Sequence, residues 1–250
     1  MSGRVSVITA TLGQAERREF LLLAWESIKS QPELQEWLIQ VDGPEEDKDA
    51  VQAVLPDDSR IKVECNMRRT GPGVSRNLAL ARAEGDYIIS LDDDDTLDRQ
   101  ALAVLVAAFD TFPSAHWAAG TLVDVYQDER EEKAVYPLMP SGLHPAGAVF
   151  TAWSAPEKTM PFWAAATAFR RASLLSVGGW QCLPQGEELG MLIAVTGRFP
   201  GVVMRDRIMN YRKHSGSFCS SGSFELHELA TRKISLATWL SSRCPLPLLS

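Results

Sequence analysis

Gly85-Asp-Tyr-Ile-Ile-Ser-Leu-Asp92-Asp93-Asp94-Asp95 joins a short apolar run to four consecutive carboxylates. Tyr87, Ile88, Ile89 and Leu91 are strand formers and Gly85 punctuates the start, so residues 86–91 read as a β-strand. Carboxylates at the C-terminal end of a strand lie where open α/β sheets hold ligands. Four adjacent like charges repel, so the fold must neutralise them. A divalent cation would do so, and all-oxygen ligation suits Mg2+ or Mn2+ rather than zinc. The plainer alternative is a solvated acidic turn or a helix N-cap cluster, since Asp95 and Asp98 precede an apolar helical stretch. If the segment is extended, Asp92 and Asp94 face one way and Asp93 the other.

On either side of this stretch, strands and helices alternate. Upstream, strand patterns occupy 4–10, 36–42 and 60–65, with helical patterns at 15–30, 46–55 and 74–84. Downstream, a helix is expected over 97–110. Short connections between alternating strands and helices predict an α/β fold whose mostly parallel sheet is flanked by helices. The second half is less regular: a strand at 115–126, a polar Pro- and Gly-rich loop over 127–148 and an extended stretch at 162–170. A short helix ending in Gly178-Gly179-Trp180, a helix over 187–198 and a strand over 201–212 follow. A last helix is expected over 223–241, before a frayed tail. This reads as a single domain of two merged halves, 1–112 and 113–222, with a C-terminal helix and tail over 223–250.

Composition sets the bounds. With 45% hydrophobic and 23% charged residues among 250, the chain is ordinary for a globular protein. A net charge of −7 argues against a nucleic-acid partner, which needs a basic face. Cys65, Cys182, Cys219 and Cys244 are scattered, with no leader ahead of the first strand, and read as reduced thiols in a cytoplasmic protein. No apolar run approaches the ~18 residues of a membrane span, so no integral membrane segment is expected. Gly71-Pro-Gly-Val-Ser-Arg76 imitates a dinucleotide loop, but Arg76 replaces the third glycine and the loop follows the third strand, not the first.

Five fragments occur in an order that resembles the inverting, GT-A-fold glycosyltransferases of family 2. They are Val5-Ser-Val-Ile-Thr-Ala10-Thr11, Val41-Asp42-Gly43, and Gly73-Val-Ser-Arg76-Asn77 followed after seven residues by Gly85 to Asp95. Phe169-Arg170-Arg171 through Gly178-Gly179-Trp180 to Gly186-Glu187-Glu188 is the fourth, and Tyr211-Arg212-Lys213-His214 the fifth. The chain departs from the family pattern at three points. Asp42 stands without a second aspartate, Ala10 replaces a proline, and Glu188 replaces an aspartate.

The resemblance implies a nucleotide-diphosphate sugar donor, an acceptor hydroxyl of unspecified identity, and Mn2+ or Mg2+ as cofactor. It places Ala10, Thr11, Asp42, Arg76, Asp92, Asp93 and Arg212 against the nucleotide sugar. Asp42 would accept from a pyrimidine N3–H, favouring a UDP-linked donor; its plain alternative is an Asp-Gly-Pro turn. Asp94 would hold the metal with Asp92, and His214 is a further candidate ligand. Glu188 would be the general base, with Glu187 as the alternative; two acids in a first helical turn also simply complement the helix dipole. Trp153, Trp163 and Trp180 are candidates to stack on a sugar, though large apolar residues usually belong to the core. A sugar-nucleotide nucleotidyltransferase and a non-catalytic nucleotide-binding module remain as alternatives.

Overall fold

The computed structural model describes residues 3–126, 128, 130–133, 138–153, 160–183 and 186–213. Strands β1 (Val5–Thr11), β2 (Leu34–Val41), β3 (Ile61–Cys65) and β4 (Tyr87–Ser90) are parallel in the order β3-β2-β1-β4. They are joined by helices α1 (Ala15–Ile28), α2 (Glu45–Gln52) and α3 (Pro72–Arg82). After β4 come β5 (Thr96–Leu97), α4 (Ala101–Thr111), β6 (Trp117–Tyr126), β7 (Glu131–Lys133) and β8 (Gly142–His144). The described chain finishes with α5 (Ala148–Trp153), β9 (Thr167–Arg170), α6 (Arg171–Ser176), α7 (Glu187–Arg198) and β10 (Gly201–Lys213). One sheet runs β3-β2-β1-β4-β9-β6-β10-β5, with β7 on β6 and β8 on β10. Its long ladders, such as β1 on β2 and β6 on β10, are parallel; β5, β7, β8 and β9 pair antiparallel.

Alternation along the strands separates two cores. Val5, Val7, Trp37, Ile39 and Ile89 face α1 and α4, where they meet Leu21, Trp25, Leu105 and Phe109. Ile8, Leu38 and Ile88 face α3, α6 and α7, where they meet Leu80, Leu174, Trp180 and Met191. With both faces covered, the central strands read as nearly continuous apolar runs. Trp37 anchors the first core: it stacks on Trp25 at 5.9 Å, and its indole donates to Thr9 Oγ1 at 2.9 Å. Truncating such a side chain costs about 3–5 kcal/mol.

Three expectations change. The helix expected from residue 97 begins at Ala101, because Leu97 pairs with Met209 and the amide of Asp98 donates to the carbonyl of Ile208 at 2.8 Å. A strand partner there overrides the apolar periodicity. The stretch read as a loop over 127–148 holds β7 and β8, edge strands of three residues too short to show alternation, and the start of α5. A single turn of 3-10 helix, Ala164–Ala166, precedes β9 where residues 162–170 read as extended. The helix expected over 223–241 lies outside the described residues, as do Cys219 and Cys244. Among the described residues no helix is long and apolar enough to cross a membrane.

Candidate active site

The parallel ladder brings the C-terminal ends of β1, β2 and β4 to one edge. Ala10 and Thr11 lie opposite Gln40 and Val41, and the amide of Asp42 donates to the carbonyl of Thr11 at 2.7 Å. Beyond β4 the chain turns at once, with the amide of Asp95 donating to the carbonyl of Asp92 at 3.2 Å. This turn overturns the extended reading of residues 92–95. Asp93 and Asp94 face the same way, toward Arg17 on α1, and Asp92 points to Arg76 on α3.

Arginines neutralise the acids from three sides. Arg17 Nη1 donates to Asp93 Oδ1 and to Asp94 Oδ2, each at 2.7 Å. Asp93 is buried, and Thr11 Oγ1 donates to its other oxygen at 2.6 Å. Burial raises the Asp93 carboxyl above its ordinary range against the pull of Thr11 and Arg17. Arg212, on β10, braces the turn: its amide donates to Asp95 Oδ1 at 2.8 Å and its Nε to the carbonyl of Asp94 at 2.9 Å. Its guanidinium lies 4.8 Å from the centre of the Phe20 ring. Asp95 is buried and its Oδ2 has no partner among the described residues. Burial, with Asp92 and Asp94 adding repulsion, holds that carboxyl well above the usual range.

Asp42 is not the first residue of a simple turn. Its Oδ1 accepts from the amide of Thr70 at 2.6 Å, from Thr70 Oγ1 at 3.1 Å and from Asn66 Nδ2 at 2.9 Å; its Oδ2 accepts from the amide of Gly71 at 3.0 Å. It therefore ties the loop after β3 to the end of β2. A carboxylate oxygen with one bond retains acceptor capacity, and Oδ2 is that oxygen. Asn66 is in turn held by Gln40, whose side-chain carbonyl accepts from Arg82 at 2.6 Å. Met67 in this loop is 65% exposed with φ of 61°, a conformation uncommon outside glycine.

Arg76 joins the acidic turn to α7. Its Nη2 donates to Asp92 Oδ1 at 2.6 Å and its Nη1 to Glu187 Oε1 at 2.5 Å, with Glu188 Oε1 3.7 Å from Nη2. Burial works against its charge, but the carboxylates of Asp92, Glu188 and Glu187 outweigh it and keep the guanidinium positive. Glycines allow this approach. A Cβ on Gly73 would lie 2.4 Å from the carbonyl oxygen of Gln181, and one on Gly179, whose φ is 70°, would lie 2.2 Å from Asn77 Oδ1. The Asn77 side chain exchanges two 2.8 Å hydrogen bonds with the backbone of Trp180, locking α3 to the segment before α7.

The two glutamates occupy different environments. Glu187 is buried against Arg76, whereas the Glu188 side chain keeps 28% of its surface open. Crowding by protein atoms pushes the Glu188 carboxyl up to about 8, against the pull of Arg76 and with Asp92 and Glu187 adding to the rise. Trp153 and Trp180 are buried in the core, and Trp163 is 47% exposed. His214 lies outside the described residues. Sequence reasoning missed Arg17 and Asn66. The pair Arg17-Arg18 just after the first strand was the available signal for one, and nothing marked the other.

No three His, Cys, Asp or Glu side chains form a metal cage among the described residues. Mg2+ is commonly held by one or two carboxylates, with water and substrate phosphate completing its shell. Asp92, 38% exposed at its side chain, and Asp94 supply hard oxygen donors of that kind at the edge. The donor set fits Mg2+ or Mn2+ and not zinc.

Residues 6–174 match the model for glycosyl transferase family 2, a span that includes Thr11, Asp42, Arg76 and Asp92–Asp95. An uncharacterized glycosyltransferase of Haemophilus influenzae is 34% identical over 67 residues, 26% of this chain and 27% of that protein. The crystal structure of S. aureus TarS 1–349 in complex with UDP-GlcNAc superposes with a TM-score of 0.67 at 17% identity, covering 93% of this chain and 66% of that one. TarS in complex with UDP gives 0.60 at 17% identity, covering 95% and 72%. This chain thus spans about a quarter of the curated relative and about two thirds of the TarS chain. At such identity the structural likeness is one of fold, the helix-flanked α/β sheet of the GT-A type. The family match covers well over half of the chain: it belongs to glycosyl transferase family 2.

Proposed function

We propose that this protein transfers a sugar from a nucleoside-diphosphate sugar, with UDP as the nucleotide, to an acceptor hydroxyl with inversion, assisted by Mn2+ or Mg2+. The observation that carries this reading is the Arg76 bridge, which sets Glu188 beside the Asp92–Asp94 acids at one sheet edge. Family membership favours transfer over a nucleotidyltransferase, and the UDP and UDP-GlcNAc complexes of TarS favour a uridine donor.

In this scheme Oδ2 of Asp42 accepts from the base N3–H, and the loop of Asn66 and Thr70 keeps that oxygen in place. Asp93 and Thr11 lie toward the ribose. Asp94, with Asp92 assisting directly or through water, would hold the cation, which would supply positive charge to the leaving diphosphate. Arg76 keeps Asp92 and the start of α7 in register. Glu188 takes the proton of the acceptor hydroxyl as that oxygen attacks the anomeric carbon opposite the leaving group. A carboxyl near 8 is a stronger base than an ordinary one and is partly ionised at neutral pH, the compromise that general-base catalysis favours. One in-line displacement inverts the anomeric centre. Glu187, paired and buried, serves to position Arg76.

The test is thermal stabilisation by UDP, GDP and dTDP with Mn2+ or with EDTA. UDP should raise the melting temperature clearly more with Mn2+. Equal shifts in both conditions would remove the metal from the scheme, and no shift from any nucleotide would remove the donor site.

A further inference from the structure

A single nitrogen, Arg17 Nη1, lies 2.7 Å from Asp93 and 2.7 Å from Asp94, the carboxylate assigned above to the cation. The two bonds differ in setting. Asp93 is buried, and its second oxygen is held by Thr11 Oγ1, which itself accepts from the amide of Gly13 at 3.1 Å. That acid is fixed by the end of β1 and needs Arg17 as its counter-charge. Asp94 is also largely covered, but Arg212 steadies its backbone, whereas Thr11 fixes the carboxylate of Asp93 itself. A guanidinium on the Asp94 carboxylate does the electrostatic work that a metal would do.

We propose that Arg17 is a resident counter-cation: in the donor-free protein it holds Asp94, and it releases that carboxylate to the metal only when a diphosphate arrives. The proposal rests on the reading of Asp94 as a metal ligand. A dication taking Asp94 while Arg17 remains would stand beside a positive charge in a partly buried site, where repulsion is poorly screened. A diphosphate changes the balance, because it brings several negative charges and oxygen pairs that match the planar guanidinium. Arg17 then keeps Asp93 and exchanges Asp94 for phosphate. Metal alone binds weakly, and metal and donor enter together.

The test measures Mn2+ binding by electron paramagnetic resonance of the free ion, with and without UDP. It compares the unmodified protein with Arg17→Gln, Arg17→Met and Arg17→Lys; either neutral variant that folds is sufficient. The neutral variants should bind Mn2+ without nucleotide at least about tenfold more tightly than the unmodified protein, since a competing positive charge is gone. The factor by which UDP enhances Mn2+ binding should shrink by a similar amount. Arg17→Lys keeps the charge and should stay within about threefold of the unmodified protein. If UDP promotes Mn2+ binding to the unmodified protein but the neutral variants match it without nucleotide, the counter-cation role is overturned and the metal site stands. Equal tightening in Arg17→Lys would also overturn it, because the effect would then not be one of charge. If the unmodified protein binds no Mn2+ even with UDP, the metal reading and this proposal fall together.

Discussion

Replacing Glu188 by glutamine should make the protein more stable while it abolishes most of its activity. The Glu188 carboxyl is pushed from an ordinary 4.5 to about 8 by burial, with Asp92 and Glu187 adding to the rise. The folded protein therefore holds a proton that the unfolded chain has released over this interval. A group whose folded pKa is raised contributes stability that is fully present below the unfolded value and is lost as pH rises through the folded one. Each pH unit in this window costs about 1.4 kcal/mol. The unmodified protein should thus have lost roughly 3 kcal/mol by pH 7 relative to a neutral side chain of the same shape. Glutamine does not titrate, so the variant should match the unmodified protein near pH 4.5 and exceed it increasingly up to pH 8. For a domain of this size the gap at pH 7 corresponds to about 6–12 °C in melting temperature. Denaturant titrations from pH 5 to pH 9, with the slope checked for constancy, measure it directly. A gap that does not change with pH, or an unmodified protein that is the more stable at pH 8, would refute the reasoning.

Arg76→Met should destabilise the protein by about 3–5 kcal/mol, because Glu187 is left buried without its counter-charge; the double variant with Glu187→Met should recover much of that loss in denaturant titrations. Asp42→Ala releases the loop carrying Thr70 and Gly71 and removes the proposed base acceptor. Calorimetry should show UDP binding at least about tenfold tighter than GDP in the unmodified protein and a compressed ratio in the variant. Asp94→Ala should remove most of the Mn2+ dependence of UDP binding while the fold survives, read as the difference between melts in Mn2+ and in EDTA.

The fold was largely legible because apolar periodicity and tertiary structure agree where elements are long. The helix expected over 187–198 is α7 at Glu187–Arg198, and the strands around Val7, Ile39, Ile88 and Val203 stand where their composition places them. What escaped was pairing between distant segments. Leu97 looks helical until β10 offers it a partner, and Glu131–Lys133 has no apolar residue to mark it as a strand. At the site, the aspartates and the two glutamates were visible as residue types, but their directions were not. The turn over 92–95 forms because the chain must reverse into β5, and it sends Asp93 and Asp94 together to Arg17. No local pattern encodes Asn66 under Asp42 or Arg76 between two acids far apart in the chain, since those contacts arise only when α3, the β3–α3 loop and α7 pack.

The central claim, transfer from a UDP-sugar driven by the acids that Arg76 gathers, is tested most directly by UDP release. The measurement incubates a panel of UDP-sugars with Mn2+ and the unmodified protein, Asp94→Ala or Glu188→Gln, with UDP affinity determined in parallel. At least one UDP-sugar should be consumed, if only by slow hydrolysis to water. Release should be lost in Asp94→Ala and reduced by roughly 10²–10⁴-fold in Glu188→Gln, which should still bind UDP as the unmodified protein does. Release that proceeds equally in all three proteins, or an unmodified protein that neither binds UDP nor consumes any UDP-sugar, would contradict the account.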